Sequence, residues 1–529
     1  MRGHSSPNQL MFDGFETAFE KWLDQDNRWI VLGRLIPWSE LSAAYNETLS
    51  AHTGRPAKDA RLVIGAVIIK HKLCLSDEET IAQIRENPYL QAFVGFTAFH
   101  KEQAFAPSLF VDIRRRMGPE VFARFEDSII ARISEHKNPA TPPDAPPGDD
   151  HTPPPGGDEA VVCEDSKAEP SDQQPAPHRG KLILDATVVE QAIRYPTDLG
   201  LLNEAREISE ALIDALHLLM ATKKKVRTYR RKARRDYLAL VKQRRPGPRK
   251  RRQAIGRQLR YLKRNLGHVE TMLNKLPGLE IPLSPKQLRQ YWIIQNLYLQ
   301  QKQMFDSRAR RCDDRIVSLH QPHVRPIVRG KQNKAVEFGA KLGVGLDEDG
   351  IACVDHVSWD AYHEGADLPG QVEAYRKRHG HYPEKLLADP LYGSRENRKF
   401  LKHRGIRFAG KPLGRPPKLA EAATKLERRQ RRQDYRERIP IEGKFGQGKN
   451  GYGLNHIRAR TAKTSDAWIR SIFLVMNLLV LLRFLFVRMA NRPIRRPLIA
   501  WMTKICRAQT SIVAPTTRSN QQSLLLAAF

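Results

Sequence analysis

Four residues late in the chain have side chains and intervals suited to phosphate chemistry. They are Tyr435, Arg438, Glu442 and Lys449, in the stretch YRERIPIEGKFGQGK. Residues three, four and seven apart share a helix face, so Arg438, Glu442 and Lys449 can point the same way. Pro440 removes a backbone donor and biases Ile439 away from helical backbone. The expected helix therefore starts or kinks near Pro440, with Glu442 in its first turn. One acid held between cations is what metal-assisted phosphate chemistry requires: the acid helps hold a metal, and the cations hold phosphate.

Glu442 needs partners, and two aspartates upstream offer themselves. Asp185 lies in KLILDATVVE and Asp389 in KLLADPLYGS. Each follows a short apolar run, which places it at or near the end of a strand. Asp198 is a rival for the first position, but it follows Pro196 and Thr197 in a turn, where Asp commonly bonds its own backbone. Two strand-borne aspartates and one helix-borne glutamate can converge on one edge of a sheet.

The order Asp185, Asp389, Glu442 resembles the DDE triad of bacterial insertion-sequence transposases. The spacing of Tyr435, Arg438, Glu442 and Lys449 is similar to that of family five, close to family four. The stretch from Asp185 to Glu207 resembles the first-aspartate block. The stretch from Ala388 to Leu401, with Tyr392, Ser394 and Asn397, resembles the second; Pro390 departs from the basic or small residue expected there. Residues Asn8 to Ser128 resemble the helical domain that such transposases carry. The resemblance implies an RNase H-like catalytic fold and two Mg²⁺ or Mn²⁺ ions held by Asp185, Asp389 and Glu442. It further implies cleavage at the element's ends and strand transfer into target DNA, by a homodimer assembled on the ends. Tyr435, Arg438 and Lys449 would then touch DNA. Two alternatives compete: a DNA-binding regulator that has lost catalysis, and an RNase H-like nuclease without strand transfer.

The composition agrees with a DNA partner. The chain has 529 residues and a formal net charge of +31. An excess that large favours a polyanion, and nucleic acid is the commonest. The five cysteines are scattered, with no CxxC pair, so neither a zinc site nor a disulfide framework is expected. A reducing cytoplasm fits, with the protein at the nucleoid. The N-terminal residues lack a signal-peptide apolar run. The apolar stretch Ser471 to Leu482 is too short to span a bilayer and reads as a buried helix, so no membrane role is expected.

These residues need elements to position them. The fold class expected is α/β: an RNase H-like mixed sheet flanked by helices, with a long helical insertion and a separate all-helical N-terminal domain. Residues 1–135 are that domain, a candidate reader of end DNA, with Arg114, Arg115 and Arg116 at one helix end. Residues 136–179 are a Pro-, Gly- and Asp-rich linker that cannot bury enough apolar surface to order itself. Residues 180–490 form the catalytic domain, and 491–529 a tail. A second short strand is expected over Ala192 to Tyr195. The insertion, about 201–311, carries a basic run including Lys223, Lys224, Lys225, Arg227, Arg230 and Arg231. Pro246-Gly-Pro248 breaks it into a hairpin. Few acids balance the run, which favours phosphate contact over a merely solvated face. A carboxylate among Asp355, Asp360, His363 and Glu364 could support the site, but a loop with ordinary polar residues is the default reading. The formal GxGxxG at 446–451 follows no strand, so the dinucleotide reading fails.

Overall fold

The computed structural model describes residues 17–50, 53–137, 178–220, 224–276, 281–328, 336–410, 413 and 421–490. Residues 138–177 of the expected linker and the expected tail lie outside them; residues 136 and 137 belong to a helix that ends at Lys137.

Eight helices come first: α1 (Ala18–Trp22), α2 (Arg28–Leu35), α3 (Trp38–Asn46), α4 (Ala60–Lys72), α5 (Asp77–Glu86), α6 (Pro88–Phe93), α7 (Leu109–Arg116) and α8 (Pro119–Lys137). Side-chain caps set several starts. Asp59 accepts from the Leu62 N–H to begin α4, and Ser76 accepts from the Glu79 N–H to begin α5. Strand β1 (Lys181–Glu190) follows. The insertion is then α9 (Asp198–Leu218), α10 (Arg230–Val241), α11 (Pro248–Lys275) and α12 (Pro285–Ser307). Its break falls at Pro246-Gly-Pro248, with Pro248 as the first residue of α11. The insertion packs around its own core, which includes Leu202, Leu212, Leu262 and Ile294.

The sheet resumes with β2 (Arg325–Val328), β3 (Val336–Leu346) and β4 (Ala352–Ser358). Next come α13 (Leu368–His379), β5 (Lys385–Ala388), α14 (Arg395–His403) and β6 (Arg407–Phe408), then α15 (Glu421–Gly451) and α16 (Ala462–Ala490). The strands run in the order β2-β3-β1-β5-β6, with β4 also paired to β3. β3 is antiparallel to β1, β2 and β4, whereas β1, β5 and β6 are mutually parallel. The result is a mixed α/β fold on a six-stranded sheet.

Side chains alternate across a strand. On β1, Leu182 and Leu184 join Leu386, Val372 and Leu401 under α13 and α14. Ile183 and Val189 face the other way, with Leu387, Ile441 of α15 and the apolar face of α16. Asp185 is two residues from Ile183 and therefore lies on the α15–α16 face.

Two expectations are corrected here. The N-terminal helices do not form a separate domain. Trp29, Ile64, Phe110 and Ile133 share one hydrophobic cluster with Ile183, Val344 and Phe473, because α16 lies against α4, α7, α8 and β4. The window Ala462–Phe484 is long and apolar enough to cross a membrane, yet 78% of it is buried inside the protein. Residues 192 to 195 form no strand either. Gln191 makes only an isolated bridge with Ile457 before the chain turns into α9.

Candidate active site

Asp185 sits in the middle of β1, not at its end, with Val344 as its β3 partner. Asp389 directly follows β5 and is exposed. The register sets Leu184 opposite Ala388 on parallel neighbours, so the next pair along is Asp185 and Asp389. Adjacent strands are about 4.8 Å apart, which makes the two aspartates neighbours. Pro390 opens the 3₁₀ turn Pro390–Tyr392, where a fixed φ is an asset.

The third acid arrives on α15. This helix runs unbroken through Pro440, which corrects the expected start or kink. Pro440 is exposed, so water can satisfy the carbonyl that its missing N–H leaves free. The helix is tied to the sheet by charge. Lys385 of β5 meets Asp434 at 3.0 Å and Glu437 at 2.8 Å, and Arg407 of β6 meets Asp434 at 2.7 Å. One turn on, Arg438 donates to Glu442 at 2.9 Å. Glu442 is therefore exposed and turned along its own helix toward Arg438. Tyr435 is 63% exposed, and the Arg438 guanidinium lies 5.9 Å from its ring centre. Lys449 is half-buried further along. The GxGxxG stretch lies inside the same helix.

The electrostatics single out Asp185. Burial pushes its carboxyl up to about 6, and the charges of Glu364 and Asp389 add to the rise. The Ala186 N–H, donating at 2.8 Å, and Arg438 pull the other way. Hard oxygen donors crowded until one holds its proton more tightly are the chemistry that suits Mg²⁺ or Mn²⁺. The donor set fits such an ion. It is not preassembled, however: among the described residues no three His, Cys, Asp or Glu side chains form a group able to hold a metal. The Arg438–Glu442 pair is one physical reason.

Residues 386–479 match the family described as Transposase DDE domain, and residues 17–116 match Transposase domain (DUF772). Both matches are to transposase families, and they fall on two separate parts of the chain. The first match contains Asp389 and Glu442, and the second covers α1 to α7. The chain is also 33% identical over 116 residues to an uncharacterized protein, ORF8 in the nfe locus of Rhizobium meliloti. That similarity covers 22% of this chain and 56% of the relative, so the chain spans about half the length of that protein. No solved structure matches.

Other predicted residues are placed unevenly. Asp198 is committed elsewhere: it accepts from Arg315 at 2.6 Å and from Gln301 at 2.9 Å beside the start of α9. Arg114 is corrected as a DNA contact. It is 8% exposed and donates to both Asp77 oxygens, at 3.0 and 2.7 Å, while Lys70 meets Asp77 at 3.0 Å. Arg114 and Lys70 also lie over the Trp468 ring of α16. Burial alone raises the Asp77 carboxyl, but Arg114 and Lys70 outweigh it and hold it below its usual range. Arg115 and Arg116 are exposed, with Arg115 bridged to Asp112 at 3.3 Å. In the insertion, Lys225 and Arg230 both pair with Asp214. Lys224, Arg227 and Arg231 are exposed, and Lys223 lies outside the described residues.

Sequence reasoning offered a carboxylate of the 355–364 stretch as support for the site; in the structure Glu364 pairs with Lys341 at 2.7 Å, and its charge is felt at Asp185. Tyr392 and Asn397 stand in the second-aspartate block but carried no chemistry there.

Proposed function

We propose that this transposase, similar to insertion-sequence families four and five, cuts DNA at the ends of its element and joins them to target DNA. The observation that carries the reading is the parallel register of Leu184 with Ala388, which sets Asp185 and Asp389 one residue on, beside the sheet on which α15, the helix of Glu442, packs against β1 and β5. The strand order and the helices on both faces support an RNase H-like core. Asp185, Asp389 and Glu442 are the residues that would hold divalent metal, two Mg²⁺ or Mn²⁺ ions. Bound there, such ions supply Lewis-acid stabilisation of the attacking and leaving oxygens of an in-line displacement.

The chain's own groups supply position and charge. Arg438 lies between Asp185 and Glu442 and is suited to a phosphate oxygen once its bond to Glu442 opens. Tyr435 presents an exposed ring beside it for stacking or hydrogen bonding, and Lys449 lies further along the same helix. Water hydrolyses the phosphodiester at the element's end and frees a 3′ hydroxyl. That hydroxyl then attacks a target phosphodiester, forming one P–O bond as the target's own 3′ oxygen leaves. Lys224, Arg227 and Arg231 hold backbone phosphates from the insertion, and Arg115 and Arg116 lie on the N-terminal helices that would read the ends. The assembly is a homodimer on DNA at the nucleoid.

The test is metal-dependent cleavage of a labelled end fragment beside a binding assay. Asp185→Ala, Asp389→Ala and Glu442→Ala should each abolish cutting while leaving DNA binding largely intact. Wild-type cutting by any one of them removes that residue from the site. Cutting without strand transfer by the unaltered chain would favour a nuclease.

A further inference from the structure

We propose that the outer face of α12 is a helix-pairing seam that meets the same face of a second copy of this chain, antiparallel across a two-fold axis. This contact belongs to the homodimer proposed above and rests on that reading.

α12 turns Tyr291, Ile294, Leu297 and Met304 inward, on the side packed against α9 and α11. Ser284 and Gln287 form a reciprocal cap at its start, which fixes where the helix begins. The opposite face is exposed. Arg289, Trp292, Asn296, Leu299 and Gln303 line it at intervals of three, four, three and four. That is the period of a coiled-coil seam, with Trp292 and Leu299 at its apolar positions. Trp292 is 57% exposed and Leu299 63%.

Charge decides what fits this face. Residues 290–301 include no Lys, Arg, Asp or Glu. Neighbouring α11 instead exposes Arg249, Lys250, Arg257 and Arg260. An uncharged face releases no counterions from DNA, so it adds nothing to phosphate binding. It does suit a second copy. Each chain carries a net +31, and two copies repel wherever their basic faces meet. The uncharged seam is where they can touch.

The ends of the seam set its direction. Arg289 stands at the N-terminal end and Asp306 at the C-terminal end. In a parallel pair Arg289 would meet Arg289. Turned about Asn296, each Arg289 instead comes to Gln303 of the other copy, beside the last turn of that helix. Asp306 pairs with Lys302 there, so the free carbonyls of the helix end remain to favour a cation. The same turn sets Trp292 of each copy against Leu299 of the other, and interfaces concentrate their energy on such aromatic anchors. Asn296 meets Asn296 on the axis. An amide both donates and accepts, and one buried Asn pair fixes the register of a helix pair.

The experiment is sedimentation velocity of the full chain at low and high salt, and on double-stranded DNA from an element end. One helix pair is a modest interface, so dimer should grow with protein concentration and be complete on DNA. Off DNA the dimer should tighten as salt rises, the reverse of DNA binding, because screening removes the repulsion between copies. Trp292→Ala and Asn296→Arg should each raise the dimer dissociation constant about tenfold or more. Thermal melts should be unmoved, since both side chains are exposed. If wild type dimerises and both variants do so equally well, the α12 contact falls and the homodimer reading stands. If wild type stays monomeric at high salt and on end DNA alike, both fall. Loss of single-stranded DNA binding by Trp292→Ala with its dimer intact would make the ring a base-stacking platform and overturn the pairing. Should Trp292→Ala fail to fold by circular dichroism, Asn296→Arg decides alone.

Discussion

The N-terminal helices and the insertion α9–α12 are both helical and both carry prominent cations, yet they place those cations differently. Around α4, α5 and α7, Lys70 and Arg114 are buried against Asp77 and over Trp468. They act as a joint between the N-terminal helices and α16. In the insertion, Lys224, Arg227 and Arg231 face solvent around a separate apolar core. A basic run therefore has no single meaning. Whether a cation binds DNA or holds the fold depends on whether an acid and a ring are buried with it.

Substitutions can break this contrast. The largest stability effect is expected at Arg114→Ala, which leaves Asp77 with half its compensation in a mostly buried site. Removing one partner of a buried pair costs about 3–5 kcal/mol. Thermal melts of the full chain should show the loss, and an unchanged melting temperature would return Arg114 to the DNA-facing set.

Next comes another buried charge on the N-terminal side. Glu126 of α8 is packed near Cys353, Asp355, Arg378 and Arg470, and burial raises its carboxyl to about 7. Asp355 adds to the rise, while Arg378 and Arg470 oppose it. The folded chain thus binds this proton more tightly than the unfolded one. Its contribution is full below about pH 4.5 and is lost as pH rises through about 7. Glu126→Gln should flatten that fall, with up to about 3 kcal/mol recovered near pH 8. Denaturant melts across this range check it; equal pH slopes in both proteins would count against a buried, protonated Glu126.

The insertion should respond in binding and not in stability. Replacing Lys224 and Arg227 with Gln should leave the melting temperature unmoved. It should also flatten the slope of log affinity against log salt by up to about 0.9 for each phosphate no longer neutralised. End DNA and random DNA should lose affinity about equally, because phosphates carry no direct sequence information. A loss confined to end DNA would mean that the insertion reads bases. Least of all is expected from Arg115→Ala, whose exposed pair with Asp112 is worth about 0–1 kcal/mol.

The local grammar of the chain was readable. Apolar runs marked β1 before Asp185 and β5 before Asp389, and Pro246-Gly-Pro248 marked the hairpin of the insertion. What was not readable came from contacts distant in sequence. Pro440 argued for a break in α15, but an exposed proline leaves its orphaned carbonyl to water, and packing of Ile441 beneath it keeps the helix whole. Arg114 looked like its neighbours Arg115 and Arg116, and only the approach of Asp77 and Trp468 separates it from them. Glu364 was one of several acids in a polar loop, and only the Asn397 amide, donating to the Gly365 and Tyr392 carbonyls, ties that loop to the turn after Asp389.

The joint at Trp468 also sets a timetable. Trp468 follows Arg114 by about 350 residues, and ribosomes add roughly 5–20 residues each second, so Trp468 is made about 20 to 70 s after Arg114. During that interval Lys70, His71 and Arg114 have no ring to lie against. The apolar faces of α4, α7 and α8 also wait for α16 to cover them. Contacts so far apart in sequence are costly to close and slow to form. The first helices made are therefore among the last to finish folding, and the nascent chain exposes their apolar faces for most of its synthesis.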